Sequence, residues 1–143
     1  MSTSIRQYDL VLLGATGYTG KLTAEHINEF LPVDLKWAVA GRSAAKLENL
    51  IEKLKKLNPK RLPPCKCRLR ATTSARLISW VFCSFIALEV CTTATEDLDA
   101  LAKNTKVIIT LLGPYAKYGT PVVEACVKNG THYLDTYVLP SLL

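Results

Sequence analysis

Three glycines spaced three residues apart carry the clearest chemical signal in this sequence: Gly14, Gly17 and Gly20. They follow an apolar run at residues 10–13 and precede a helical pattern, which places them in a turn between a buried strand and a helix. In such a unit glycine allows a sharp turn, a close approach of the backbone to a pyrophosphate, and tight packing of the helix. The helix N-terminus then offers amides and a positive dipole to the phosphates. The pattern predicts a dinucleotide-binding loop, and the alternative is a tight turn that binds no ligand.

A second candidate position is the predicted end of the next strand, where the sequence is Gly41-Arg42-Ser43. In a dinucleotide fold this strand end meets the adenine ribose, and a carboxylate there favours NAD by binding the free 2′-hydroxyl. No carboxylate stands at this tip, and the guanidinium of Arg42 offers a planar fork for a 2′-phosphate. We therefore predict NADP (NADPH) as the cofactor, with Arg42 on the phosphate and Ser43 assisting. The alternatives are a solvated loop arginine and a serine that only caps the following helix.

The hydrophobic pattern predicts the strands and helices that position these residues. Apolar runs predict strands at 9–13, 35–40, 88–91, 106–112 and 131–135, and apolar residues repeating at three and four predict helices at 18–30, 43–57, 96–103 and 121–128. The expected core contacts of the first helix are Leu22, Ala24, Ile27 and Phe30 or Leu31. In the last helix Thr120 is the expected N-cap, Pro121 the first helical residue and Gly130 the stop. The predicted fold class is α/β, a Rossmann-like doubly wound parallel sheet with its ligand at the carboxyl ends of the strands.

Residues 65–87 form an irregular insertion in this plan, since they change from cationic to strongly apolar. One interpretation is an inserted loop with an extra strand, and another is an interfacial membrane anchor with arginines beside an apolar face. The third is sequence foreign to the fold, such as a translated intron. We favour the third, because removing the stretch brings Pro64 directly before the short strand at 88–91. The apolar segment at 77–90 is too short to predict a transmembrane span.

Composition limits both the class of protein and the class of partner. With 49% apolar and 21% charged residues among 143, the chain is predicted to be one globular domain rather than a disordered segment. The net charge of +6 includes one cluster that resembles a nucleic-acid footprint: Lys53, Lys55, Lys56, Lys60 and Arg61. No reading element accompanies this cluster, so a solvated helix end is favoured and no nucleic-acid partner is predicted.

The cysteines and histidines favour a reduced compartment and no metal site. Five cysteines occur, an odd number: Cys65, Cys67, Cys83, Cys91 and Cys126. The spacing of the first two is not a zinc spacing, and His26 and His132 are not placed to complete a site. The N-terminal residues carry no apolar signal-peptide core, so a cytoplasmic location is expected.

Taken together, three motifs resemble the saccharopine dehydrogenase-like oxidoreductases, and more closely the branch also described as trans-acting enoyl reductases. The motifs are GATGYTG at 14–20, AVAGRS at 38–43 and TLLGPYAKYGTPVVEACVKNGTHYLD at 110–135. The resemblance covers residues 8–64 and about 88–135. It implies that six consecutive residues line the diphosphate: Gly14, Ala15, Thr16, Gly17, Tyr18 and Thr19. It also implies that Arg42 and Ser43 meet the 2′-phosphate.

On the nicotinamide side, the resemblance implies Gly113, Pro114 and Tyr115, whose alternative role is a strand-ending turn with a packed aromatic. The titratable side chains expected near these strand ends are those of Tyr115, Lys117, Tyr118 and His132. None of them receives a catalytic role, because the surface that would hold a substrate is not predicted in this chain. After Asp135 the family continues into a substrate domain, and we expect that domain to be absent here.

The predicted function is an NADP-binding domain that supports hydride transfer to or from a lipid-like or amino-acid-derived substrate. The alternatives are a non-catalytic NADP-binding module and an inactive truncated fragment. Peripheral membrane or lipid-droplet association through residues 77–90, and a homodimer, stay open as further partners.

Overall fold

The computed structural model describes residues 6–61, 87–89 and 95–136. The strands are β1 (Tyr8–Leu13), β2 (Trp37–Gly41), β3 (Ala87–Glu89), β4 (Thr105–Thr110) and β5 (His132–Asp135). The helices are α1 (Tyr18–Phe30), α2 (Ala44–Leu57), α3 (Thr95–Lys103) and α4 (Tyr115–Asn129). The predicted interpretations of residues 65–86, and the cysteines within that stretch, concern residues outside the described ranges.

The strands form one parallel sheet in the order β3-β2-β1-β4-β5. The central strand β1 pairs with β2 through Leu12 and Val39, and with β4 through Leu12 and Ile109. This arrangement confirms the predicted doubly wound α/β class. The chain reverses its direction of progress across the sheet at β1, so the carboxyl edge beside β1 and β4 is the switch point where ligands bind in such folds.

Helices cover both faces of the sheet, which explains why β1 is apolar at every position from Leu10 to Leu13. Leu10 and Leu12 pack in one core cluster with residues of α1 and α2. Val11 and Leu13 face the opposite cluster, formed with residues of α3 and α4. Both clusters lie directly behind the carboxyl edge, so they hold the turns at that edge on a rigid base.

The helix α4 differs from its prediction, because it begins at Tyr115 rather than at Pro121. The amide of Tyr118 donates to the carbonyl oxygen of Pro114 at 3.2 Å, so a helical turn closes directly after the β4 connection. Pro121 lies inside the helix, where it removes one backbone donor, and Thr120 is not the N-cap. The predicted stop is confirmed, since Gly130 adopts a left-handed conformation with φ of 61°.

Arg61 also differs from its prediction as a solvated residue, since only 3% of its surface is exposed. Its guanidinium donates to the carbonyl oxygens of Ile27 at 2.6 Å and Leu31 at 2.7 Å, at the C-terminal end of α1. It lies 5.9 Å from the ring centroid of Trp37. Burial lowers the pKa of Arg61 from its ordinary value, with the charge of Asp34 acting in the opposite direction. Arg61 therefore satisfies the last carbonyls of α1.

Arg6 binds the last carbonyl groups of α4 in the same way. It lies in the polar segment before β1, for which the sequence predicted no role. Its guanidinium donates to the carbonyl oxygens of Asn129 and Gly130, both at 2.9 Å. It also donates to the carbonyl oxygen of Thr105 at 2.6 Å and to Thr131 Oγ1 at 2.9 Å. One side chain thus joins the starts of β1 and β4 to the end of α4, at the amino edge of the sheet.

Candidate dinucleotide site

The loop between β1 and α1 is fixed at its base by Gly14. This residue has φ of +89°, a conformation that favours glycine, and its amide donates to the carbonyl oxygen of Ala40 at 2.9 Å. A Cβ at Gly14 would lie 3.0 Å from the carbonyl carbon of Leu111 and 3.1 Å from Leu112 Cδ2. The loop therefore fits against both the neighbouring strand β2 and the segment that follows β4.

The other two glycines of the loop differ in how closely other atoms surround them. A Cβ at Gly20 would lie 2.2 Å from the carbonyl oxygen of Gly14 and 2.7 Å from Ala15 Cα. A Cβ at Gly17 would meet only the carbonyl oxygen of Gly14, at 3.5 Å. The loop is thus closed towards the helix at Gly20 and open towards solvent at Gly17. This open side leaves backbone uncovered where a phosphate group can approach.

The first turn of α1 supplies donors for such a group. Among the described residues, no acceptor is found for the amides of Thr16, Tyr18, Thr19 and Gly20. The N-cap residue Gly17 has no side chain that could bind them. Free amides and the positive end of the helix dipole together suit a phosphate. The residues present therefore fit the diphosphate of a dinucleotide.

The end of β2 lies beside this loop, as the sequence predicted. A Cβ at Gly41 would be 3.5 Å from Thr16 Cγ2, so the two turns are in close contact. Arg42 is exposed, and it has no ion-pair partner among the described residues. Ser43 occupies the N-cap position of α2, yet its side chain makes no cap hydrogen bond. Its hydroxyl is therefore not used to cap the helix.

The segment after β4 reaches the same edge. The amide of Leu111 donates to the carbonyl oxygen of Leu13 at 2.8 Å, which holds the ends of β4 and β1 together. Gly113 and Pro114 follow as an exposed turn joined by a cis peptide bond. Tyr115 is the first residue of α4, and its side chain lies outside the described part of the structure.

The expectation for His132 is wrong, because this residue is at the start of β5. It pairs with Val107, whereas the residue that pairs with Thr110 at the carboxyl end is Asp135. The exposed carboxylate of Asp135 accepts a hydrogen bond from the Tyr133 hydroxyl at 2.8 Å. Sequence reasoning assigned no role to Asp135, although its place at the end of an apolar run is a signal of an edge position.

Thr110 is a second position that the sequence prediction missed. It ends β4 beside Leu13, and its side-chain oxygen is buried with no hydrogen-bond partner among the described residues. A hydroxyl that interrupts the apolar run at 107–112 is the signal that could have found it. A buried polar group of this kind calls for a partner.

A groove between α1 and α2 is the third feature that the sequence prediction missed. Its volume is about 320 Å³, and its lining residues are Thr16, Lys21, Lys46, Asn49, Leu50 and Lys53. Lys46 and Lys53 are both exposed, so helical periodicity alone does not distinguish them from other lysines on the solvated face of α2. The signal that could have found the groove is the position of Lys46, three residues after Ser43.

The fold and the loop define a dinucleotide-binding α/β domain, and comparison with known proteins gives its family. The sequence profile of the family described as "Saccharopine dehydrogenase NADP binding domain" matches residues 10–142. This chain therefore belongs to that family, and NADP(H) is its cofactor. It is an NADP-binding domain of the saccharopine dehydrogenase-like oxidoreductases, which confirms the resemblance, the family and the cofactor predicted from the motifs.

Curated relatives extend beyond this chain. A saccharopine dehydrogenase-like oxidoreductase of Rattus norvegicus is 35% identical over 150 residues, which cover 100% of this chain and 30% of the relative. A trans-acting enoyl reductase of Mycobacterium leprae is 35% identical over 135 residues, covering 94% of this chain and 26% of the relative. The chain thus spans less than a third of the length of these relatives.

Solved structures agree with the fold. Apo saccharopine dehydrogenase (L-Glu forming) from Saccharomyces cerevisiae aligns with a TM-score of 0.60 at 18% identity, covering 93% of this chain and 22% of that one. At this identity the likeness establishes the architecture alone.

The described residues contain neither a membrane-spanning helix nor a cluster of metal-ligating side chains. Among the helices described, none has both the length and the apolar character needed to cross a membrane. In the same ranges no group of three or more His, Cys, Asp or Glu side chains is arranged to hold a metal ion.

Proposed function

We propose that this chain binds and orients NADP(H) for a hydride-transfer reaction on a lipid-like or amino-acid-derived substrate. The observation that carries the proposal is the contrast within the glycine loop. A Cβ at Gly14 or Gly20 would lie 3.0 Å or 2.2 Å from backbone atoms, whereas Gly17 is open beside unpaired amides. Such a loop holds its own shape and exposes donors to an anion.

In this proposal the diphosphate lies along the loop from Gly14 to Gly20, against Ala15, Thr16, Gly17, Tyr18 and Thr19. Because Thr16 lies beside Gly41, a dinucleotide bound along the loop would place its adenine ribose at the β2 tip. The 2′-phosphate of that ribose would then lie near Arg42 and Ser43. The turn Gly113–Tyr115 lies at the same sheet edge on the other side of β1. It therefore suits the nicotinamide end of the dinucleotide.

The bound nicotinamide would supply the hydride chemistry, since NADP(H) is itself the hydride carrier. The role we assign to this chain is to bind and orient it. The identity of the substrate class rests on family resemblance. The names of the relatives include a saccharopine dehydrogenase-like oxidoreductase and a trans-acting enoyl reductase.

Titration with NADPH and NADH, followed by nucleotide fluorescence, tests the proposal. We expect saturable binding of both dinucleotides by the full chain, with NADPH bound more tightly. Arg42→Ala should weaken NADPH more than NADH, because only NADPH carries the 2′-phosphate. Lys60→Ala is the control, since Lys60 is an exposed cation beyond the end of α2.

Two results would count against the proposal. A folded sample, judged by circular dichroism, that binds neither dinucleotide would refute the cofactor role of this chain. Equal weakening of NADPH and NADH by Arg42→Ala would refute the phosphate role of that residue.

A further inference from the structure

The groove between α1 and α2 is lined by lysines whose charges are only partly neutralised by carboxylates of the described residues. Lys21 lines it from α1 and Lys46 from α2, and neither has an ion-pair partner among the described residues. Lys53 also lines the groove, but its ammonium is 2.6 Å from Glu25 Oε1. The Lys53–Glu25 pair is neutral, so the unpaired positive charge of the groove comes from Lys21 and Lys46.

The groove begins at the predicted ribose position. Its lining includes Thr16, whose methyl group lies 3.5 Å from the position of a Cβ on Gly41. Lys46 is the third residue of α2, directly after the turn that contains Arg42 and Ser43. Thr16 therefore belongs to the diphosphate loop, lies beside the β2 tip and lines the groove, so the three regions adjoin one another.

The side chains that line the groove suit a phosphate group better than a sugar hydroxyl. A phosphate monoester carries about −1.5 to −2 charges at neutral pH and has three acceptor oxygens. The ammonium groups of Lys21 and Lys46 are donors that carry positive charge, and Thr16 and Asn49 add neutral polar groups beside the apolar Leu50. A free 2′-hydroxyl gains little from such a pair of cations.

We infer that Lys46, with Lys21 on the opposite wall, binds the adenosine 2′-phosphate and sets the preference of this chain for NADPH over NADH. This inference deepens the proposed function and rests on it. Arg42 and Lys46 are both exposed, but only Lys46 lines the groove, from the first turn of α2. The selectivity for NADP therefore depends on α2 as well as on the turn before it.

The test compares Lys46→Gln, Lys21→Gln and Lys56→Gln in the full chain, with NADPH and NADH titrated separately. Lys56 is a matched control, because it is an exposed lysine of the same helix outside the groove. Loss of one charge-assisted hydrogen bond predicts that Lys46→Gln weakens NADPH by roughly 10- to 100-fold. We expect the same direction for Lys21→Gln, and both variants should leave the Kd for NADH within about twofold, as expected for a surface change away from the ligand.

Each outcome separates this inference from the proposed function. NADPH preference that survives in Lys46→Gln, or that falls equally in Lys56→Gln, overturns the inference and leaves the cofactor role intact. Equal weakening of NADPH and NADH by Lys46→Gln also overturns it, since the effect would not arise from the 2′-phosphate. A wild-type chain that is folded but binds neither dinucleotide overturns both.

Discussion

Replacing Gly17 by alanine should separate ligand binding from stability. Gly17 has φ of −72° and ψ of 172°, an extended conformation that alanine adopts without strain. The nearest atom to the added methyl group would be the carbonyl oxygen of Gly14, at an ordinary contact distance of 3.5 Å. The folded chain therefore accommodates the methyl group, which would project into the open side of the loop.

The magnitudes follow from these contacts. A glycine-to-alanine change at a compatible position stabilises a protein by about 0.4–1 kcal/mol, through the lower entropy of the unfolded chain. Alanine is a poorer N-cap than glycine by about 0.5–1 kcal/mol, which opposes this gain, so we expect the Tm of Gly17→Ala to stay within roughly 3 °C of the wild type. The Kd for NADPH should rise at least about tenfold, or about 1.4 kcal/mol, because the methyl group occupies the approach of the phosphate.

Gly20→Ala is the matched variant with the opposite expectation. Its Cβ would lie 2.2 Å from a backbone oxygen, so the loop or the helix must shift. Overpacking of this kind costs about 1–3 kcal/mol or more, so Tm should fall. Both variants are measured by thermal melting with circular dichroism and by NADPH fluorescence titration. A Gly17→Ala chain with both wild-type Tm and wild-type Kd would refute the close approach of phosphate to Gly17.

Three further predictions concern groups away from the cofactor. Arg61→Met should lower the free energy of unfolding by roughly 2–4 kcal/mol, because it leaves buried carbonyl oxygens without donors. Urea unfolding measures this loss, with Lys60→Met as the control at an exposed site. A loss for Arg61→Met as small as that of the control would contradict the prediction. The side-chain hydrogen bond from Lys106 holds the pKa of Asp9 below its ordinary 3.8, with partial opposition from burial. The carboxylate therefore stabilises the fold above the unfolded pKa and loses this effect as pH falls through the lower folded pKa. Because Asp9→Asn removes this exposed ion pair, it should lower the free energy of unfolding by about 0.2–1 kcal/mol near pH 7. Urea unfolding in which this deficit does not shrink as the pH is taken progressively below 3.8 would refute the assignment. Burial raises the pKa of Cys126 to about 11, so iodoacetamide at pH 8 should modify this thiol in urea but not in the native chain, as peptide mass spectrometry would report.

The local features of the sequence predicted most of the fold. The bounds of α1 agree with the prediction at both ends, because a glycine turn precedes it and Pro32 follows it. The core face of α1 was predicted less well, since Leu22 and Phe30 are 50% and 67% exposed while Asn28 is buried. Asn28 is buried because its side-chain amide donates to the carbonyl oxygen of Leu54 on α2, at 2.9 Å. That partner belongs to another helix, so periodicity alone cannot reveal it.

The missed features share this dependence on distant parts of the chain. Arg6 donates to Asn129, which is 123 positions away, and Arg61 donates to carbonyl groups about 30 positions earlier. The start of α4 was missed because Pro121 is a strong local signal for a first helical residue. In the structure the N-cap is Pro114, and Pro121 lies inside the helix. The glycine loop was predictable because its requirements are local, whereas the groove between α1 and α2 exists only once the two helices pack.

The position of β1 in the middle of the sheet has a consequence for synthesis of the protein. The strand made first receives one neighbour when β2 emerges and the other only when β4 emerges, since β4 pairs with it from Tyr8 to Leu13. Gly14 also packs against Leu111 and Leu112, which follow β4. The phosphate-binding loop is therefore among the first segments to leave the ribosome and among the last to reach its final packing. On a nascent chain, gain of dinucleotide binding would report that folding has proceeded past residue 112.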